Sequence, residues 1–448
     1  MQTGQSDEAF AEELAAEEVA AGEPPPPPMP AAAQRESGAR QRERRASVWR
    51  VLRHHDYSLL FWGQLISSAG TQIAVVTIAW QVYLISHSAI ALGLIGLVQA
   101  IPRLIFSVVG GVFADVLDRR KMLLVIDSIL ACTSAALALF TITHVINLPI
   151  IYVVVLISAS VSAFEFPTRQ AIIPTLVPRE ELPDAMSLST VGMQLTFIVG
   201  ATIGGFIIAL VGVANTYWID VASYFVVLSA LLLMTIPRIP AEKRAQVGIA
   251  AFVDGWRFLQ AHPIILAVLS LDFFATFFGS PRALLPIYAS SIFHTGPQGL
   301  GILLAATSIG AVALTPLTGR IGRIPRQGLG VVLAVLAWGV CIVAFGLTSG
   351  PLWLAVIFLA GAGAADMVSM ILRGLIVQLT TPDELRGRMS AVNAMFVIGG
   401  PMLGQFESGV VAGIFTPELS VVTGGLACIA ATLAIAALVP STLKARLK

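Results

Sequence analysis

The chain has 448 residues, 56% hydrophobic and only 12% charged, with a mean hydropathy of +0.84. Soluble domains carry about 25% charged residues. A water-soluble enzyme or nucleic-acid binder is therefore excluded, and repeated apolar runs of membrane-spanning length indicate a polytopic membrane protein. The formal net charge of +1 says little about partners, because here the distribution of charge matters and the sum does not.

Residues 1–49 lack the apolar content to fold alone. Asp7 to Glu23 is acidic and Ala-rich, Pro24–Pro28 is a polyproline run, and Gln34–Arg45 is basic and polar. A disordered cytoplasmic tail is expected, with a docking tail as the functional alternative. The first apolar run begins near residue 58, so no cleavable signal peptide is expected. Cys132, Cys341 and Cys428 fall inside apolar runs without metal-ligand spacing and read as small buried residues.

Twelve spans follow, at roughly 58–84, 91–113, 122–143, 149–171, 187–211, 217–236, 264–290, 298–318, 328–347, 352–376, 390–415 and 419–439. The connections near 86–90, 144–149, 212–216, 291–298, 348–351 and 416–418 contain no Lys or Arg, whereas the alternate connections and both ends of the chain are basic. By the positive-inside rule both termini are cytoplasmic. Of 27 Lys and Arg, only Arg103 and Arg282 fall deep inside spans. The chain also repeats at an offset of 204 residues (169 to 373): Arg169 and Pro178 fall on Arg373 and Pro382, Arg119 on Arg323, Gly200 on Gly404 and Gly205 on Gly409. The expected organisation is a tail over 1–49, a six-helix half over 50–236, a cytoplasmic linker with an amphipathic helix over 237–262, a second six-helix half over 263–440, and a cytoplasmic tail over 441–448.

The densest charge lies between the second and third spans, where Gly111 is followed by Asp115, Asp118, Arg119, Arg120 and Lys121. This Gly-x-x-x-Asp, Asp-Arg-Arg-Lys spacing resembles the loop between the second and third helices of the major facilitator superfamily. The resemblance covers residues 50–440. Arg169–Pro174 followed by Val177-Pro178-Arg179-Glu180-Glu181-Leu182 resembles that superfamily's bacterial drug and siderophore exporter branch, which includes enterobactin and macrolide exporters. In the second half Gly319 and Gly322 stand where Asp115 and Asp118 stand in the first, so the acidic pair acts once. The antiporter motif of the family ends in Gly-Pro in the fifth span. Here Gly400-Pro401 lies in the eleventh, so that motif is half matched.

The resemblance implies an all-α fold of twelve transmembrane helices in two pseudo-repeat halves. It also implies a secondary transporter in the plasma membrane whose halves rock about a central cavity. The implied function is proton-coupled export of amphipathic or hydrophobic small molecules. An importer or uniporter of a small polar solute is the alternative, and a transport-dead sensor or scaffold the alternative of another class. Asp115 is implied to latch across to the start of the eleventh span near Arg386 and Arg388. The expected partners are a small-molecule substrate and the lipid bilayer. No ATP is expected, since no phosphate-binding Gly-Lys-Ser/Thr loop is present. Neither a nucleic acid, a metal nor any other cofactor is expected beyond a proton gradient, and the chain is expected to be a monomer.

Ionisable groups inside spans each cost about 2.5–3.5 kcal/mol at a span centre and need a partner or a task. Arg103 and Asp127, on antiparallel neighbours, are expected to form a structural ion pair. Asp220 and Glu407 are expected near the outer interface. Glu165, one turn before Arg169, is the first candidate for proton coupling, though a permanent helical pair is the plain alternative. Asp272 and Asp366 are held in reserve. Gln64, Gln72, Phe164 and Phe273 are candidates for the substrate cavity. Gly279, Pro281 and Pro286 are expected to break the seventh span.

Overall fold

The computed structural model describes residues 50–116, 118–235, 249–382 and 385–444. The tail over 1–49, the first part of the linker and the last four residues lie outside the described residues. Thirteen helices carry the fold: α1 His55–Ser86, α2 Ala89–Val116, α3 Arg119–Ile142, α4 Leu148–Ser162, α5 Glu165–Ile172, α6 Leu182–Leu233, α7 Ile249–Ala261, α8 Pro263–Phe278, α9 Gly296–Ala313, α10 Gln327–Gly346, α11 Leu352–Thr380, α12 Arg386–Ile414 and α13 Pro417–Leu438. Among the described residues, ten helices are long and apolar enough to cross a membrane. One of them, α6, supplies two spans, because Gly212 (φ 80°, ψ 169°) turns the backbone in its middle, a conformation open to glycine alone. The 29-residue α12 fills the remaining predicted span.

Local sequence explains the interruptions. The fourth predicted span breaks between α4 and α5. Pro167 has no N–H, and its ring crowds the carbonyl four residues back, at Ala163, where the helix stops. The seventh breaks after α8 at Gly279, then passes through a tight turn at Arg282–Leu284 and a wide turn at Tyr288–Ile292. Such backbone is tolerated at membrane depth only where it faces protein or a watery cavity.

Lipid is as apolar as leucine, so close packing and buried polar links hold the helices together. Helices α1 and α3 pack on α6; α8 packs on α12 and α13; α10 packs on α11 and α13. The halves meet at two crossings, α2 on α12 and α6 on α9. Glycine makes both possible. A methyl added at Gly205 would lie 2.8 Å from the Gly301 Cα and against the Pro297 carbonyl, and one at Gly409 would lie 2.6 Å from the Gly93 Cα. Within the halves the same repeat recurs: Gly200 packs on Ala69 and Gln72 of α1, and Gly404 on Thr276 and Phe277 of α8.

Both inter-half crossings lie toward the end whose connections lack Lys and Arg. The largest buried cluster is at that end too. It joins Tyr83, Leu92, Leu137, Ile151 and Tyr217 of the first half to Tyr288, Leu300, Phe345 and Val421 of the second. The Tyr83 hydroxyl adds a 2.8 Å hydrogen bond to Ser291 across the halves. Toward the basic end, the described clusters stay within the second half. The molecule is sealed at one end.

The amphipathic linker piece, predicted to lie on the membrane surface, is the C-terminal part of α7. It is pinned to α12: Leu259 is buried with Ile265, Leu269, Met389 and Val392, Trp256 stacks on Phe396, and Asp254 accepts a 2.8 Å hydrogen bond from Arg388.

Candidate functional site

Beneath the sealed end lies a cavity of about 400 Å³, lined from both halves by α1, α2, α6, the broken seventh span, α9 and α12. Small-molecule sites typically span ~300–1,000 Å³. Its wall is largely aliphatic, with Val75, Val76, Leu92, Ile95, Leu300 and Val397 among the lining residues. Into this wall are set Gln72, Gln99, Gln405, Arg103 and Arg282. Helix irregularity places the arginines: Pro102 lies inside α2 directly before Arg103, and Arg282 opens the turn after the break in the seventh span. Pro286 and Pro401 line the same space.

Arg103 and Asp127, expected as an ion pair, are not brought together. Arg103 faces the cavity, where the Arg282 charge repels it and the Glu165 charge attracts it through space. Asp127 is 2% exposed, keeps Oδ2 without a hydrogen-bond partner, and faces the charges of Glu165 and Arg169 instead. The axial distance between the two was within reach, but their side chains point to different neighbours.

Glu165 starts α5 directly after the helix break. Its Oε1 accepts a 2.8 Å hydrogen bond from Gln64, which also donates to Ser68 at 3.1 Å, and lies 3.4 Å from Arg169 Nη1. The Arg169 guanidinium also lies over the Phe166 ring. A small recess lined by Gln64, Ser68, Phe166 and Arg169 adjoins this group. Glu165 is thus held by a neutral amide of α1 and by its helical neighbour, with a buried carboxyl close by.

The second half carries a counterpart. Asp272 of α8 forms a buried ion pair with Arg373 of α11, and Asp366, about two helix turns before Arg373 on α11, feels both charges. A space of about 10 Å³ separates Asp272, Asp366, Ser369 and Trp338, about the room that one water occupies. Ser369 Oγ and Trp338 Nε1 are buried there without protein partners. Arg373, not counted from the sequence among the arginines deep inside spans, is a correction: it is 7% exposed within α11. Its place in the repeat, 204 residues after Arg169, is the signal that could have found it. Arg282 was recognised as an intramembrane charge, but nothing in the sequence gave it a direction.

In the basic loop, Asp118 caps α3 by accepting from the Arg120 and Lys121 amides. Arg119 donates to the Ala171 carbonyl at 2.7 Å, and Arg120 to the carbonyls of Leu231 and Leu232 at 2.7 and 2.8 Å. The two cations thus satisfy helix C-terminal carbonyls of α5 and α6 within the first half. The side chains of Gly111 and Asp115 lie outside the described residues. Of the proposed partners across the halves, Arg388 is engaged by Asp254.

Of the cavity candidates, Gln72 lines the cavity. Gln64 belongs to the Glu165 group. Phe164 packs on Phe106, and Phe273 packs among Phe274, Phe277 and Phe396, so the aromatic lining is Phe197 instead. Asp220, expected near water, is 1% exposed and bonded to Ser134 at 2.5 Å and to Ser223; Gly70 leaves room for this group. Among the described residues, no group of three or more His, Cys, Asp or Glu could hold a metal ion.

The profile of a family described as transmembrane secretion effector, of the major facilitator type, matches residues 46–447. The chain belongs to this family. Its members are multi-pass membrane transporters, and the chain is a transporter of the major facilitator superfamily rather than an enzyme. Among curated proteins it is similar to the enterobactin exporter EntS of Shigella boydii, 27% identical over 374 residues, covering 83% of this chain and 89% of that one. EntS of Salmonella typhi is 26% identical over the same coverage. Among solved structures, the major facilitator fold is shared with a POT family transporter in complex with 5-aminolevulinic acid (TM-score 0.70, 11% identity, 86% of this chain and 96% of that chain). It is shared also with an inward-facing, unoccupied bacterial homolog of the lysosomal transporter Spinster (TM-score 0.65, 15% identity, 88% and 99%).

Proposed function

We propose that this transmembrane secretion effector is a secondary active exporter of amphipathic or hydrophobic small molecules, of drug or siderophore type, exchanging them for protons by alternating access. The observation that carries the reading is the cavity itself. It lies where the two repeats meet, is of small-molecule size, and is roofed by two glycine crossings related by the repeat. Separating those crossings while the other end closes would pass the cavity from one face to the other. The exporter names of the curated relatives support the direction, and the Lys/Arg asymmetry supports placing the basic end in the cytoplasm of a plasma-membrane protein.

Glu165 is the proposed coupling carboxylate. It sits at a helix break within the membrane, reached by the Arg103 charge from the cavity and held by Gln64 and Arg169. Movement of α1 against α5 would change its surroundings and so its proton affinity. In the analogous zone of the second half Asp272 is paired with Arg373, and Asp366 lies beside Asp272. The test uses everted vesicles with enterobactin and a panel of lipophilic dyes as probes. Glu165→Gln is expected to retain exchange down a concentration gradient and to lose accumulation driven by a pH gradient. Full proton-driven accumulation by the variant would remove Glu165 from the coupling role.

A further inference from the structure

Among the described residues that line it, the central cavity holds two positive charges and no negative one. Arg103 enters from α2 of the first half and Arg282 from the broken seventh span of the second, and they are near enough for their charges to repel. Among the described residues no Asp or Glu lines the cavity, and neither guanidinium has an ion-pair or hydrogen-bond partner. This contrasts with Arg169 and Arg373, each of which has its carboxylate. An unpaired charge in a span is costly, and setting two like charges on one aliphatic cavity compounds the cost.

We infer that the cavity is built for an organic anion: a carboxylate, sulfonate, phosphate or ionised phenol on an apolar body, its acid group bridged by Arg103 and Arg282. The chemistry fits at each point. Guanidinium groups fork onto planar or tetrahedral oxyanions with two parallel hydrogen bonds each. Gln72 and Gln99 can donate to further oxygens, while the aliphatic wall takes the body. Because the arginines come from different halves, an anion held between them also ties the halves together, which neither half achieves alone. This deepens the transporter reading, on which it rests for the word substrate; the binding site itself stands on the geometry.

The experiment is a binding measurement that needs no transport. Purified full-length protein in neutral detergent is titrated with two dyes of one ring system, fluorescein, an anion at neutral pH, and rhodamine 6G, a cation. Thermal stabilisation is read, since a ligand of the folded state raises the melting midpoint with concentration. Fluorescein is expected to raise the midpoint and rhodamine to leave it. Arg103→Gln and Arg282→Gln should each weaken fluorescein binding by about tenfold or more, the loss expected for a hydrogen bond to a charged group. Arg103→Lys and Arg282→Lys should retain most of it. In the absence of dye, each Gln variant should melt higher than the parent, because one of two repelling charges has gone; a merely structural arginine would give a lower midpoint.

Preference for rhodamine, or undiminished fluorescein binding by the doubly substituted protein, would overturn the inference. So would displacement of the dye by added phosphatidylglycerol, which would assign the site to a lipid headgroup. Vesicles that fail to pump while the binding pattern holds would instead refute the transport reading and leave the anion site in place.

Discussion

Asp272 and Arg373 show how a buried charge is retained in an apolar bundle. Each is almost fully enclosed, and each is costly without the other. Asp272→Asn or Arg373→Gln alone is expected to destabilise the protein by about 3–5 kcal/mol, as for other broken buried pairs. The double neutral variant should lose markedly less than the sum, because the two residues are coupled. Thermal unfolding of the four proteins in detergent checks this; additive losses would mean that the pair is not a unit. The sequence made Asp272 visible as an intramembrane acid but hid its partner. Arg373 lies near the basic connection at Arg386 and Arg388, so a count of loop charges absorbs it, and the contact spans 101 positions of chain (272 to 373) that no local pattern reports. The Arg103–Asp127 expectation failed for a related reason. Axial spacing along two helices was legible, whereas the rotation of each helix about its own axis was not.

At the scale of the element, glycine and proline were the most readable residues. Pro167 ends α4, Gly279 ends α8 and Gly212 divides α6, each for a backbone reason that needs no knowledge of the fold. What glycine does between helices is less local. The repeat offset pairs Gly205 with Gly409, and the structure shows why: both are the narrow points at which one half touches the other. Gly409→Ala is expected to hold the α2–α12 crossing apart, since its methyl would meet backbone of Gly93, which cannot move aside as a side chain can. The measurement is labelling by an impermeant maleimide in intact cells, after removal of Cys132, Cys341 and Cys428. Gln72→Cys, on the cavity wall, should label several-fold faster in the Gly409→Ala background than with Gly409 present. Ser88→Cys should label in both, which also fixes this end as the outer face. Equal labelling of the cavity position in both backgrounds would mean that the crossing is no seal.

At the scale of the whole molecule, the architecture was legible because a bilayer leaves few options: apolar runs must cross, basic connections stay on one side, and a repeat of six spans closes on itself. The function of the interior was legible only in part. Sequence alone does not sort the faces of helices that are apolar all round, so Phe164 and Phe273 stood as cavity candidates while Gln99 and Gln405 passed unremarked. Once the faces are sorted, the unpaired arginines have an electrical consequence. A charge carried through a membrane moves in the field of the membrane potential, worth about 2.3 kcal/mol per elementary charge for each 100 mV. An anion leaving a compartment that is negative inside therefore travels with the field, and a proton entering in exchange travels with it as well, so one turnover moves charge twice in the same sense. Liposomes containing the protein, loaded with fluorescein and polarised by a potassium gradient with valinomycin, should release dye faster when the interior is negative than when it is positive. Rhodamine 6G should show no such carrier-mediated acceleration. A cell using this protein would then draw on its voltage, more than on its pH difference, to expel an acid.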